Sequence, residues 1–242
     1  MTVLVVGASG ATGRLLVRQL LDRGVSVRAI VRSPDGLPDD VRSHAGLSVI
    51  EASLLDFSDG EMAEHVGGCS AVASCLGHTL SVKGIYGRPR RLVTDATRRL
   101  CDAIRANKHE RPVRFVLMNT AGNSNRDIPE QVSLPQKCVI GLIRLLLPPH
   151  VDNEKAADYL RTEVGQQDVA IEWAAVRPDS LIDESEASAY EVYPSPTRSA
   201  LFNAGRTSRI NVAHFMAELV TDDATWSRWK GRMPVVYNGG SS

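Results

Sequence analysis

Three glycines near the start of the chain stand at a spacing that suits phosphate chemistry. Gly7, Gly10 and Gly13 fall at i, i+3 and i+6 in "VVGASGATGRLL", between a run that reads as a strand and one that reads as a helix. Positions without side chains let a pyrophosphate approach the backbone, and amides at the start of a helix supply partial positive charge. A tight strand-to-helix corner needs one glycine, so three favour a cradle. The next chemistry lies at the end of the second apolar run, "VRAIVRSP", where an Asp or Glu would accept from ribose hydroxyls. Arg32 stands there instead, with no carboxylate before Asp35. A planar guanidinium donates two parallel hydrogen bonds to a phosphate, which selects a 2′-phosphate and makes NADP(H) the expected cofactor. Arg14, beside the last glycine, either adds charge from a second side or is an ordinary exposed helix residue. Asp56, in "SLLDF", either orients the adenine end of the cofactor or caps the following helix.

The elements that must hold these residues alternate. "TVLVV" is a continuous run rich in β-branched residues, suited to a strand covered on both faces. "ATGRLLVRQLLDRG" puts Leu15, Leu16, Leu20 and Leu21 on one helical face and stops at Gly24, after which "VSVRAIVR" closes a strand–helix–strand unit. "LSVIEA", "SAVASCL", "PVRFVLMN" and "VAIEWAAVRP" supply four more strands. "SDGEMAEHV" and "RPRRLVTDATRRLCDAIRAN" supply helices, the second with Leu92, Ala96, Leu100 and Ala103 inward. This alternation predicts an α/β fold, a Rossmann-type doubly wound parallel sheet that receives ligands at the carboxyl ends of its strands. Residues 122–150 interrupt it with a loop and a short apolar helix ending at Pro148-Pro149, expected to stand above the site. After Pro178 the alternation weakens: "YEVYPSPTRS" carries turn and extended signals, followed by helical "NVAHFMAELVTD" and strand-like "PVVYN". The expected organisation is one domain over 1–242, with a cofactor-binding core at 1–180 and a small C-terminal substrate region at 181–242.

A chain of 242 residues, 43% hydrophobic, can bury one large core. Basic and acidic residues balance at 28 each, so no whole-molecule field argues for nucleic acid or an anionic membrane. From Lys83 to Arg114, ten Lys or Arg face three Asp or Glu; with few aromatics interleaved, this surplus reads as a solvated helix face rather than a nucleic-acid surface. Cys69, Cys75, Cys101 and Cys138 form no CxxC pair and read as reduced, buried thiols, which points to a cytoplasmic compartment. Cys75 and His78 lack the two further ligands a metal would need. No basic n-region precedes the first apolar run, and "CVIGLIRLLLPP" is too short to span a bilayer and carries Arg144, so neither a signal peptide nor a membrane span is expected.

The segments "VVGASGATGRLL", "VRAIVRSP", "LLDFSD", "NEKAADYLR", "WAAVRPDSL" and "RINVAHFMAELV" together resemble the short-chain dehydrogenase/reductase superfamily. They are similar to its atypical NAD(P)H-binding branch, that of the NmrA-like regulators and biliverdin reductase B (flavin reductase). The resemblance implies that backbone around Ser9, Ala11 and Thr12 meets the pyrophosphate and Arg32 the 2′-phosphate. It also implies that Leu76 and Gly77 pass under the nicotinamide ribose, that His78 lies near the nicotinamide and that Lys155 meets the ribose hydroxyls. One departure matters. Classical members carry Tyr-x-x-x-Lys, whose tyrosine exchanges a proton with the substrate carbonyl; here Lys155 is kept but Val151 stands four residues earlier. Thr120, in "MNTAG", is the nearest hydroxyl at the end of the fifth strand, so Lys155, His78 and Thr120 are the catalytic candidates. Tyr159 reads as a packing residue and His150 as a capped or solvent-facing one.

The resulting expectation is an NADPH-dependent reductase of a small conjugated or carbonyl acceptor, such as a flavin or quinone, bound in a pocket covered by 122–150 and 185–206. The alternative is a non-catalytic NADP(H)-sensing protein; an isomerase would normally keep the tyrosine. The run "VIGLIRLLL" could pack internally or against a second subunit, leaving monomer and homodimer open.

Overall fold

In a computed structural model, which describes residues 1–78, 86–130 and 133–239, the strands follow one another as the sequence alternates. They are β1 (Thr2–Val6), β2 (Ser26–Val31), β3 (Leu47–Glu51), β4 (Ala71–Ser74), β5 (Val113–Met118) and β6 (Ile171–Pro178). β7 (Ser180–Ile182), β8 (Tyr190–Tyr193), β9 (Arg206–Ser208) and β10 (Val235–Asn238) follow. One eight-stranded sheet has the order β3-β2-β1-β4-β5-β6-β10-β8, parallel except for β8, which pairs antiparallel with β10; β7 and β9 form a separate parallel pair. The order turns back between β1 and β4, which pair in register from Val3↔Ala71 to Val6↔Ser74. Such a switch opens a crevice beyond the strands' carboxyl ends, where ligands bind in doubly wound sheets.

Helices cover both faces. On one lie α1 (Gly13–Asp22), then α7 (Arg209–Thr221) and α8 (Asp223–Trp229), burying Leu16, Val17 and Leu20 against Val212, Phe215, Trp226 and Trp229. On the other lie α3 (Asp59–Val66), α4 (Leu92–Ala106) and α6 (Pro148–Tyr159), whose Met62, Val66, Val93, Leu100, Ile104 and Ala156 pack on Phe115 and Leu117 of β5. The single turn α2 (Asp39–Arg42) and the helix α5 (Leu134–Leu146) complete the set. α1 stops as its sequence suggests: Gly24, at φ +72°, donates its amide to Leu21 and lets Val25 bond back to Leu20.

Three readings need correction. The apolar helix does stop just before Pro148, with α5 ending at Leu146, but Pro148 and Pro149 also begin α6, because a proline has no amide to leave unbonded in a helix's first turn; His150, read as capped or solvent-facing, therefore lies inside that turn with a largely buried side chain. Cys138 is exposed on the outer side of α5, unlike buried Cys69 and Cys101. The weak alternation after Pro178 hides three short strands, β7, β8 and β9, too brief and polar to show a pattern. β8 and β10 nevertheless join the main sheet, so residues 181–242 extend it as well as standing above it.

Within the basic stretch Lys83 lies outside the described residues, while several arginines are paired internally. Arg99 donates to the Leu55 carbonyl and to Asp59, Arg105 to Asp168, and Arg114 to the Val220 carbonyl and Asp223; Arg91 and Arg98 flank Asp95.

Candidate functional site

The glycine turn joins β1 to α1 at the switch point. Gly7 sits at φ +72°, and a Cβ there would lie 2.6 Å from the Cys75 carbonyl carbon; at Gly13 a Cβ would lie 2.1 Å from the Gly7 oxygen. These two glycines are therefore demanded by the turn's own packing against β4's end. Gly10 is different: among the described residues a Cβ there would meet only the Gly7 oxygen, at 3.2 Å, and one at Gly77 would meet nothing within 4 Å. The amides of Ser9, Ala11, Thr12 and Gly13 make no backbone hydrogen bond among the described residues. Thr12, at the N-cap, gives no side-chain cap, whereas Ser58, Ser133, Ser208 and Asp222 each cap the helix that follows them. Unsatisfied amides at a helix start, one of them on buried Thr12, with room above Gly10, fit the phosphates of a dinucleotide.

Two cations stand near this turn, with exposed Asp35 beside them, next to the Gly36 that packs on Ser9. Arg14 and Arg32 are both exposed and pair with no carboxylate among the described residues, whereas Arg18, one turn on, is taken by Asp40. Asp56 is exposed, and the capping role considered for it belongs to Ser58, which forms a capping box with Glu61 before α3. Leu76 and Gly77 follow β4 directly across from Gly7.

The residue that organises the neighbouring elements escaped sequence reasoning. Asp152 on α6 is 2% exposed, and its carboxylate accepts from the amides of Val93 (2.8 Å) and Thr94 (3.0 Å), from Thr94 Oγ1 (2.6 Å) and from His78 Nε2 (2.8 Å). It thus caps α4 from another helix and holds the chain after β4. Asp152→Ala would strand two buried amides and remove one partner of His78, and is expected to lower unfolding free energy in urea by about 2–4 kcal/mol. A loss below about 1 kcal/mol would show that the cap is dispensable. The sequence offered only a carboxylate one residue past Val151; its partners lie some sixty to seventy positions away.

A cleft of about 330 Å³ opens at the carboxyl ends of β5 and β6. Ile140 and Ile143 of α5 and Leu147 just after it wall it together with Ala200 and Leu201, and its polar groups are Thr120, Gln136, His150, Asp179 and Ser180. The two segments expected to cover a pocket, 122–150 and 185–206, do line it. Thr120 Oγ1 accepts from the Gly122 amide (3.2 Å). Asp179 Oδ2 accepts from the Gly205 amide (2.9 Å), and burial pushes its carboxyl above the usual range despite that bond. Of the catalytic candidates only Thr120 is in the cleft wall. His78 bonds Asp152, and Lys155 is exposed on α6 without a polar partner among the described residues. Tyr159 packs beside α4, where Arg105 donates to its hydroxyl. A larger concavity, about 650 Å³, opens at the opposite, amino ends of the strands near Met1, Ser70 and Arg111, away from the glycine turn.

A turn of this construction at the switch point of a doubly wound sheet defines a nucleotide-cofactor protein. The chain belongs to the NAD(P)H-binding family, whose model matches residues 7–223. It is 26% identical over 221 residues, 91% of this chain and 72% of the other, to an uncharacterized chloroplastic protein of Arabidopsis thaliana. Among solved structures it is similar to an anaerobillin reductase from Escherichia coli O157:H7 (16% identity, TM-score 0.68, covering 100% of this chain and 99% of the other). It is also similar to a short-chain dehydrogenase/reductase from Veillonella parvula in complex with NADP (16% identity, TM-score 0.66, covering 99% and 95%). No helix among the described residues is long and apolar enough to cross a membrane.

Proposed function

We propose that the protein is an NADPH-dependent reductase of a small carbonyl or conjugated acceptor. The observation that carries this reading is that unbonded amides after β1 and the cleft after β5 and β6 open at the same end of one sheet. Ser9, Gly10, Ala11, Thr12 and Gly13 would hold the pyrophosphate, Arg32 and Arg14 the 2′-phosphate, and Asp56 the adenine end. Leu76 and Gly77 would lie under the nicotinamide ribose and Lys155 on its hydroxyls, while Thr120 and the cleft would orient the acceptor. Bound NADPH supplies the hydride; the chain's part is to fix the acceptor against it and exclude water. The similar NADP complex and anaerobillin reductase support the reading by their own ligands and names.

Calorimetry with NADPH and NADH, followed by turnover with FMN, menadione and 4-nitrobenzaldehyde, tests it. Turnover of at least one acceptor is expected. Tight NADPH binding with none reduced would replace this reading by a non-catalytic NADP(H)-sensing one. Arg32→Ala is expected to weaken NADPH about 10- to 100-fold, the worth of a charge-assisted phosphate contact, and to leave NADH nearly unchanged. Equal loss for both cofactors would remove the 2′-phosphate from Arg32.

A further inference from the structure

With Val151 at the tyrosine position, a reductase of this build needs another source for the substrate's proton. The residue before Val151 is His150, 13% exposed, in the first turn of α6 and in the wall of the cleft. Its ring has two faces of contact. Nε2 lies 3.3 Å from Oε1 of Glu154, one helical turn on. The opposite Cε1–Nδ1 edge is turned toward Gly122, where an added Cβ would lie 3.5 Å from Cε1, 4.0 Å from Nδ1 and 3.6 Å from Thr120 Oγ1. Glycine at 122 therefore leaves a gap bordered by an imidazole edge and a hydroxyl.

Glu154 is fixed in turn. Arg144 of α5 donates from Nε to Oε2 (2.8 Å) and from Nη2 to Oε1 (2.7 Å), a bidentate clamp between the cleft's wall helix and α6. Burial works to raise the Glu154 carboxyl, but His150 and Arg144 outweigh it and hold it at about 2. With Nε2 turned toward the Glu154 carboxylate, the Nδ1 edge is the one the ring presents to the cleft.

Resting on the reductase reading above, we propose that His150 is a catalytic residue that protonates the oxygen of a carbonyl acceptor, with Glu154 and Arg144 as positioning residues. The hydride of NADPH forms the new C–H bond at the carbonyl carbon, and the C=O π pair takes the Nδ1 proton of the imidazolium to become O–H. NADP⁺ and an alcohol result, and neutral His150 regains its proton from water. Two electrons and two hydrogens are thereby accounted for. The imidazole occupies the role left by the absent tyrosine, displaced by one residue along the same helix. Thr120, across the gap, orients the oxygen.

The test compares two acceptors under NADPH. Reduction of 4-nitrobenzaldehyde requires a proton on the nascent alkoxide, whereas reduced menadione is a stabilised anion that takes its proton from water. In H150A the aldehyde kcat is expected to fall about 100-fold, within the range for a general acid, the menadione kcat far less, and the NADPH Kd and aldehyde KM to change little. Added imidazole should restore part of the aldehyde rate in H150A. H150Q, which keeps the side chain's bulk, should show the same split between acceptors, and E154Q a smaller loss that imidazole does not rescue. A loss shared equally by both acceptors, or an aldehyde rate in H150A within about twofold of wild type, would overturn the assignment while leaving the reductase reading intact. Wild-type protein that reduces menadione but not the aldehyde would overturn it equally. If wild type reduces no acceptor, the reductase reading and the assignment fall together.

Discussion

The G13A variant is expected to melt lower and lose NADPH binding, whereas G10A is expected to fold like wild type and lose binding alone. The difference follows from what surrounds each position. An alanine Cβ at Gly13 would lie 2.1 Å from the Gly7 oxygen, 2.9 Å from its carbonyl carbon and 3.0 Å from the Ala8 Cα, all backbone atoms of the same turn. Relief requires the turn to open at the switch point, an overpacking cost of about 1–3 kcal/mol, or roughly 2–12 °C in melting temperature for a chain of this size. At Gly10 the methyl meets only the Gly7 oxygen at 3.2 Å, which a shift of a few tenths of an ångström accommodates, so stability should stay within about 0.5 kcal/mol. The methyl instead fills the open side of the turn, where a pyrophosphate would approach the free amides. Losing one or two charge-assisted contacts raises the NADPH Kd about 10- to 100-fold. Calorimetry and thermal melts on both variants check this, and G10A binding NADPH like wild type would show that the glycines only turn a corner.

That contrast also shows where the sequence was legible. Spacing alone located the glycine turn between β1 and α1, and apolar periodicity located β1 to β6 and most of the helices, because both signals are local. It could not say which glycine serves packing and which leaves space: Gly7 is constrained by Cys75 and Gly13 by Gly7, and the first of these contacts crosses from one strand to another. Arg32 and Thr120 were found because each follows a recognisable strand. Asp152 was missed because a carboxylate on a helix reads as solvated until the α4 amides and His78 are seen around it. His150, read as capped or solvent-facing, is largely buried in a helix's first turn because Pro148 and Pro149 follow one helix and begin the next at once. The cleft-lining segments could be named but not folded, since β7 to β9 are three or four residues each and owe their pairing to distant chain.

Arg177 is the other residue whose role only the fold explains, and its truncation is expected to cost more than any substitution in the glycine turn. It is wholly buried near the end of β6, in a run that is otherwise apolar apart from Glu172. Nε donates to the Met233 carbonyl (2.7 Å), Nη1 to that of Asn123 (2.9 Å) and Nη2 to that of Pro194 (3.3 Å), with Glu130 Oε1 2.8 Å away. One guanidinium thereby ties β6 to the chain before β10, to the loop after Thr120, to the segment before α5 and to the end of β8. Glu130 in turn accepts from the Asn125 amide (3.0 Å). Arg177→Ala removes the cation facing Glu130 Oε1 and the donor to three carbonyls, and breaking a buried pair from one side costs about 3–5 kcal/mol, or roughly 6–20 °C. Arg177→Lys keeps the charge but has no planar fork for diverging acceptors, so it should recover only part of the loss. Glu130→Gln retains an acceptor for Asn125 and should cost less than Arg177→Ala. Because the loops held by Arg177 carry Thr120 and Gly122 on one side and lead to Ala200 and Leu201 on the other, the stabler of these variants should lose acceptor KM before NADPH affinity. Thermal melts and parallel NADPH titrations measure both, and a melting point for Arg177→Ala within about 2 °C of wild type would mean that the ion pair contributes little to holding the cleft together.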